Sequence, residues 1–525
     1  MNHQNTRTHQ NTGNHQNTGN HQNIGIIDIG SNSIRLVIYE IAPVGAYRII
    51  YENKYSARLS REVESDGSIP RSHLDAAVNV LQQFKAICES YQTAHIRAAA
   101  TAAIRNAANS KEIIGWLEAE TGLTIERVSG EQEGYYGFLG VVQSTDVQDG
   151  MIVDIGGGST ELSLFRGRKL LHSVSIPLGA VNAQARFSTS EQWDKEQVEA
   201  LREVIKDALE PLDWVQENPE LPLIGLGGTV RTVAKMHQRQ IKYSLQAVHH
   251  YEMEGKIIDE MAELLPYETS SFRKKIPGLS KDRADLIVPG LLILQTIFQT
   301  VNADRCIVSG AGLRDGLFRD WFAPEQPVVQ DALKTSIRNI LQFGPPAPEE
   351  PLQQTYEDMV KIYKALEEKQ PDERDDAVMY TAAMLSDSGI LVNYYKSSQH
   401  AVYRIMYGGI YGLSHREAVL SAVAADYHPK KRTPQLLQQH EDILKDSDTE
   451  RVHRLGSLLM LAKAIRSTPV VTDISVTAKN GSLHVQLHST AEPLVQYSRM
   501  EEASKDLEEA WKIKLSWEHL AASRK

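Results

Sequence analysis

Two stretches of this chain carry one pattern: a strand-type apolar run with an aspartate inside it, closed by a turn of small residues. They are Ile26-Ile27-Asp28-Ile29-Gly30-Ser31-Asn32-Ser33 and Ile152-Val153-Asp154-Ile155-Gly156-Gly157-Gly158-Ser159. Each is followed by a second strand-type run, over 34–39 and 160–165, so each predicts a β-hairpin around a ligand-sized turn. A helical apolar stripe over 72–91 leads into a strand at 95–100, and Ala100-Thr101-Ala102-Ala103-Ile104-Arg105 opens another helix. Strands running into glycine recur at Leu223-Ile224-Gly225-Leu226-Gly227-Gly228-Thr229-Val230-Arg231 and at 305–310, before Ser309-Gly310-Ala311-Gly312-Leu313-Arg314. Such tight turns gather where α/β proteins bind phosphorylated ligands, because backbone approaches a ligand closely only at Gly.

Beyond the Pro-rich break at 323–327 the apolar spacing turns helical, over 352–368, 375–392, 400–407, 414–427 and 451–466. Alternation resumes over 473–487 about Asn480-Gly481, a hairpin signal, and a helix is expected over 500–511. At the other end, 2–23 repeats His, Gln, Asn, Thr and Gly with nothing to bury and is expected to be disordered. The division that follows is a tail at 1–23, α/β units at 24–142 and 143–323, an all-α unit at 328–467 and a small α/β segment at 468–525. Duplication of one fold unit accounts for the two α/β units.

Composition narrows this only slightly. With 525 residues, 41% hydrophobic and 23% charged, the chain is expected to be globular and multidomain. Cys88 and Cys306 stand far apart in no metal spacing, which favours two core residues in a reducing compartment. The longest apolar run, 286–298, is broken by Pro289, Gly290 and Gln295 and is too short for a bilayer. With no secretion-type leader at the N-terminus, a cytoplasmic location is expected. A net charge of −11 argues against coating of nucleic acid, without excluding a local basic groove for another polyanion.

Hydrolysis of a phosphoanhydride needs donors around the phosphates, a cation and a base that orients water. The candidate donors are the backbone amides of Ser31, Asn32 and Ser33 and of Gly156, Gly157, Gly158 and Ser159, with hydroxyls as supplements. Asp154 and Glu161 flank the second loop and are candidates for a hard divalent cation such as Mg2+; Asp28 is a third, equally well read as a turn cap. Arg35 and Arg105 are candidates to neutralise a bound anion. For the base, Glu131 and Glu133 are the nearest unassigned carboxylates, and the residue pattern leaves both open.

The set Asp28-x-Gly30-Ser31-Asn32-Ser33, Ala100-Thr101-x-Ala103-x-Arg105, Ser129-Gly130-x-x-Glu133, Asp154-Ile155-Gly156-Gly157-Gly158-Ser159-Thr160-Glu161 and Gly310-Ala311-Gly312-Leu313-Arg314-Asp315-Gly316 resembles the exopolyphosphatase and guanosine pentaphosphate phosphatase family. That family is a branch of the actin, Hsp70 and sugar-kinase superfamily, and the resemblance covers about 24–320. It implies two duplicated actin-like (ribonuclease H-like) α/β domains and in-line attack of water on a terminal phosphate. It makes Glu133 the general base, gives Asp154 and Glu161 to Mg2+ and water, and gives Gly30 and the two loops to the phosphate chain. The region 328–467 resembles the HD-type domain of long members, but Ser386-Asp387 puts Ser where the family's metal-binding His stands. His400, His415 and His428 remain there. Lys430, Lys431, Arg432, Arg451, Arg454, Lys463 and Arg466 are expected to line a polyphosphate path. The resemblance also allows a homodimer.

The leading expectation is an exopolyphosphatase acting on inorganic polyphosphate. Its alternatives are a guanosine pentaphosphate 5′-phosphohydrolase, which shares the same terminal anhydride, and a nucleotide- or polyphosphate-binding regulator. In that last class Gly227, Gly228, Thr229, Gly310 and Gly312 would contact a nucleotide.

Overall fold

The computed structural model describes residues 21–188, 190–344 and 349–521. Its first sheet has the order β3-β2-β1-β4-β5, from β1 (Gln22–Ile29), β2 (Ile34–Ile41), β3 (Tyr47–Tyr55), β4 (Thr93–Ala100) and β5 (Ile125–Arg127). β1 is antiparallel to β2 and parallel to β4. It is central, so Ile24, Ile26, Ile27 and Ile29 are buried on both faces, which is why the run reads as continuously apolar. The strand begins at Gln22, so the sheet reaches into the stretch expected as tail. The repeat at 1–20, with His3, His9 and His15, lies outside the described residues, while His21 bonds Glu40 at 2.8 Å.

The second sheet contains β6 (Gly150–Ile155), β7 (Thr160–Arg166), β8 (Lys169–Ile176), β9 (Leu223–Leu226), β10 (Glu252–Met253) and β11 (Cys306–Val308). Its order is β10-β11-β9-β6-β7-β8. Read from β8, the run β8-β7-β6-β9-β11 repeats the first sheet strand for strand. The directions agree too: β6 is antiparallel to β7 and parallel to β9, and β9 is parallel to β11. The two hairpins match in register, with Asp28 opposite Arg35 and Asp154 opposite Glu161. The helix Gly130–Ser144 packs between the sheets, where Phe138, Leu139 and Val142 join Ile26, Ile152 and Leu226 in one core.

Beyond residue 331 the described residues form seven helices before the last sheet, at Ala332–Gln342, Glu349–Glu367, Glu373–Leu385, Ser397–Tyr407, His415–Ala425, Arg432–Gln439 and Ser447–Ile465. The helix expected over 375–392 stops at Leu385 and gives way to a 3-10 turn, Ser388–Leu391. A side chain at Gly389 would collide with the carbonyl of Ser397, 2.0 Å away, so the chain turns there to admit the next helix. The last sheet, β12 (Val471–Lys479), β13 (Ser482–Ser489) and β14 (Lys514–Ala521), has a hairpin turn at Asn480 and Gly481 with positive φ at both. The helix Leu494–Trp511 carries the chain across to β14, which runs parallel to β13. One apolar core runs through the helical region and this sheet, holding Met379, Leu420 and Leu458 together with Leu483, Leu487 and Leu507. Among the described residues no helix is long and apolar enough to cross a membrane. Cys88 and Cys306 are buried and free.

Candidate active site

The tips of the two equivalent hairpins meet. A Cβ on Gly157 would lie 3.0 Å from the Ser31 Cβ and 3.3 Å from the Asn32 nitrogen, and one on Gly158 would lie 3.0 Å from Ser31 Oγ. The absence of side chains there lets the loops touch and leaves a cavity of ≈ 150 Å³ between the lobes. Each turn is closed in the same way: Gly30 N–H donates to Ser33 O (3.1 Å) and Gly156 N–H to Ser159 O (2.9 Å). Those two amides are therefore not available to a ligand, which corrects the expectation for Gly156. The amides of Ser31, Asn32, Ser33, Gly157, Gly158 and Ser159 make no backbone hydrogen bond among the described residues. They form a double nest of donors suited to phosphate oxygens.

Glu133 reaches the cavity through its helix start. Ser129 and Gln132 form a capping box, with Gln132 N–H donating to Ser129 Oγ (3.1 Å) and Ser129 N–H to Gln132 Oε1 (2.9 Å). Gly134 fits against β8, since a Cβ there would lie 2.0 Å from Ser173 Oγ, and this close packing aims the first turn at the second hairpin. Glu131 is exposed, whereas Glu133 lines the cavity and accepts from Arg105 Nη1. Arg105 thus stands behind the carboxylate and does not line the cavity as expected of an anion contact.

Five carboxylates line the cavity: Asp28, Glu133, Asp154, Glu161 and Asp315. Burial raises the first four. It pushes Asp154 up to about 6 against the pull of Arg231. Burial and then the Asp154 charge push Glu161 up to about 7. Glu133 stands well above the usual carboxylate range through burial and then Glu161, with Arg105 opposing. Asp28 is raised by burial against Arg314 and Arg35, and its Oδ1 is buried without a partner. Glu161 Oε1 accepts the hydroxyls of Ser159 and Ser175, both at 2.7 Å. The Ser159 hydroxyl is therefore directed at Glu161 and not at a ligand.

Four guanidinium groups offset these acids: Arg35, Arg231, Arg283 and Arg314. Arg35 Nε is held by Ser33 Oγ (3.2 Å), Arg231 Nη1 by Gly310 O (3.1 Å) and Arg314 Nη1 by Glu52 Oε1 (2.8 Å). Burial and then Arg35 lower Arg231 to about 10, the mark of cations crowded without enough anions. Arg231 and Arg314 lie in the glycine segments, each followed by a helix that carries its guanidinium inward. Arg283, on the 3-10 turn Lys281–Arg283, lies in no motif, and only the tertiary fold brings it against Gly228. Gly227, Gly228, Thr229, Gly310 and Gly312 also line the cavity. The turn at Gly310 is fixed by His249 Nδ1, which accepts its N–H at 3.0 Å, and Gly312 N–H donates to Asp315 Oδ2 at 2.8 Å.

In the helical region five of the seven basic residues expected along a polyanion path are paired with carboxylates. Arg432 pairs with Asp426, Arg451 with Asp375 (3.2 Å), Arg454 with Glu367, Lys463 with Asp387 (2.7 Å) and Arg466 with Asp358 (2.6 Å). Apart from Asp426, which is close to Arg432 in the chain, these carboxylates are distant in sequence but face the cations across helix contacts, so these charges are used internally. Lys463 also donates to Ser386 Oγ at 3.1 Å, placing an ammonium beside the Ser386-Asp387 pair. His415 is buried between Tyr243 and the His249 carbonyl, and His428 sits by Asp426.

Duplicated sheets of one strand order, closing glycine turns and guanidinium groups around a small cavity, define an actin-like protein built to handle phosphoryl groups. The model of the Ppx/GppA phosphatase family matches residues 37–325, and the chain belongs to that family. Among solved structures it resembles the Aquifex aeolicus Ppx/GppA family member, at 29% identity over 58% of this chain and 99% of that one, with a TM-score of 0.51. A Cytophaga hutchinsonii exopolyphosphatase shares the fold at 23% identity over 59% of this chain and 100% of that one, with a TM-score of 0.54. Each relative fits almost whole onto little more than half of this chain.

Proposed function

We propose that this phosphatase is an exopolyphosphatase, removing orthophosphate from the ends of inorganic polyphosphate. The observation that carries this is Glu133: a buried carboxylate with raised proton affinity, facing a cavity lined by unbonded loop amides and four guanidinium groups. The amides of both loops and the arginines grip the terminal phosphate and hold it in line with an attacking water. Glu133 accepts the water's proton as the new P–O bond forms and the anhydride P–O bond breaks, releasing orthophosphate and a chain shorter by one unit. A carboxylate with raised proton affinity is a stronger base than an ordinary one.

The residues fit a divalent cation of the Mg2+ type. Asp154 and Glu161 supply hard oxygen donors from facing strands, and Asp28 Oδ1 is buried without a partner. Among the described residues no group of three or more His, Cys, Asp or Glu is arranged to hold a metal ion by itself; Mg2+ is commonly held through one or two carboxylates together with substrate phosphates. When bound, such an ion supplies neutralisation of the charge on the terminal phosphates.

The test is orthophosphate release with Mg2+ from long-chain polyphosphate and, separately, from guanosine pentaphosphate, with Glu133→Ala as control. The variant should bind polyphosphate yet lose turnover by about a hundredfold or more. Retained turnover would remove Glu133 from its role. A strong preference for guanosine pentaphosphate would reassign the substrate, and release from neither would favour a binding protein built on the same cavity.

A further inference from the structure

A second cavity, of ≈ 400 Å³, lies where the first lobe meets the helical region. It is within the size range of small-molecule sites. Four aromatic side chains line it, Tyr39 on β2, Tyr47 on β3, Phe343 after the helix Ala332–Gln342, and Tyr411. Gln143, at the end of the helix Gly130–Ser144, is only 4% exposed and lines the same cavity, and its Oε1 has no hydrogen-bond partner. A buried amide oxygen left unbonded costs about 1–3 kcal/mol, so it calls for a ligand with an N–H donor. Arg404 lines the cavity too. Its guanidinium donates to the carbonyls of Ser388 (3.3 Å) and Ile340 (3.0 Å), and among the described residues no carboxylate neutralises it.

An aromatic lining, one unanswered acceptor and one unneutralised cation suit a planar heteroaromatic ring with an N–H group and an anionic substituent. We propose that this cavity binds a nucleoside monophosphate, its base among Tyr47, Phe343 and Tyr411 with an N–H on Gln143 Oε1, and its phosphate at Arg404. The site is separate from the catalytic cavity. The wall between them includes Asp315, whose Oδ1 accepts the Tyr39 hydroxyl at 3.0 Å.

The probes are AMP and GMP, which have no anhydride to hydrolyse, titrated calorimetrically into the full chain. Because a monophosphate could also enter the catalytic cavity, the titration is repeated in Arg35→Ala, where binding should persist. Gln143→Leu should weaken binding at least about tenfold, the equivalent of one lost hydrogen bond to a buried group. Arg404→Met should do the same, and serves if Gln143→Leu does not fold. Binding of neither nucleotide at millimolar concentration overturns the proposal. So does binding that Arg35→Ala abolishes while Gln143→Leu and Arg404→Met leave it intact. Orthophosphate release from polyphosphate is measured separately, so loss of this site and loss of the catalytic reading give different results.

Discussion

Arg105 offers the sharpest test of the proposed mechanism, because it touches Glu133, the proposed base, and does not line the cavity itself. Arg105→Met removes the charge and keeps most of the apolar stem. An opposite charge at contact distance lowers a carboxylate by about one to three units, so its loss should raise Glu133 further by that order. A base works deprotonated, so activity falls as pH drops through its pKa; raising that pKa moves the acid limb of the kcat/KM profile to higher pH. For each unit of displacement, activity on the limb falls about tenfold at fixed pH and returns when the pH is raised. The unpaired carboxylate protonates rather than remaining a buried charge, which limits the loss of stability. The assay is orthophosphate release from polyphosphate across pH, with Arg105→Lys as the charge-preserving control. If Arg105 instead binds the anion, KM rises and the shape of the profile stays as in the wild type, and that result would refute this reasoning.

Three further outcomes are expected. In Gly140→Ala the new Cβ would lie 2.4 Å from Gly312 O and 2.7 Å from its Cα, so the turn lining the cavity must shift; kinetics and melting should show a fall in kcat/KM and a stability loss of about 1–3 kcal/mol. Arg466→Leu leaves fully buried Asp358 without the partner that bonds both its oxygens (2.6 and 2.9 Å), and denaturation should show a loss of about 3–5 kcal/mol that Asp358→Leu in the same chain largely restores. Burial lowers His415 from 6.5 to about 4, so the folded form prefers it neutral. The stability this gives is present above pH 6.5 and is lost as pH falls toward 4; it amounts to about 3 kcal/mol. The pH dependence of stability in His415→Gln should be flatter than in the wild type by that amount.

Much of the catalytic cavity was legible because its chemistry sits at the ends of short apolar strands. A strand that is buried on both faces and stops at Gly announces itself within eight residues, and Asp28, Asp154 and the two loops followed from that. Glu133 against Glu131 could not be separated by pattern, since both stand in one helical turn; the capping box at Ser129 and the packing of Gly134 on β8 decide which one points inward. Arg283 was out of reach, because nothing near it in sequence marks a turn that the fold lays against Gly228. The basic residues of the helical region misled for the opposite reason. Composition shows cations, but Asp358, Glu367 and Asp387 become their partners only when helices far apart in sequence pack together.

The duplication also explains why the site can act on an anion with acids in its wall. In each hairpin an Asp on the first strand faces one residue on the second. In the first lobe that residue is Arg35, and in the second it is Glu161. A strictly symmetric pair would give either two cations, which would bind phosphate without drawing a base or a divalent ion to it, or two acids, which would repel it. One divergence at one register position makes the first loop the side that attracts the anion and the second the side that gathers negative charge. Since Gly157 and Gly158 bring Ser31 into contact with the second loop, the opposite characters meet within one cavity. Burial there raises the proton affinity of Asp28, Glu133, Asp154 and Glu161. On the proposed function, the acids are the groups to take up a proton or a metal ion, and the arginines the groups to hold the phosphate.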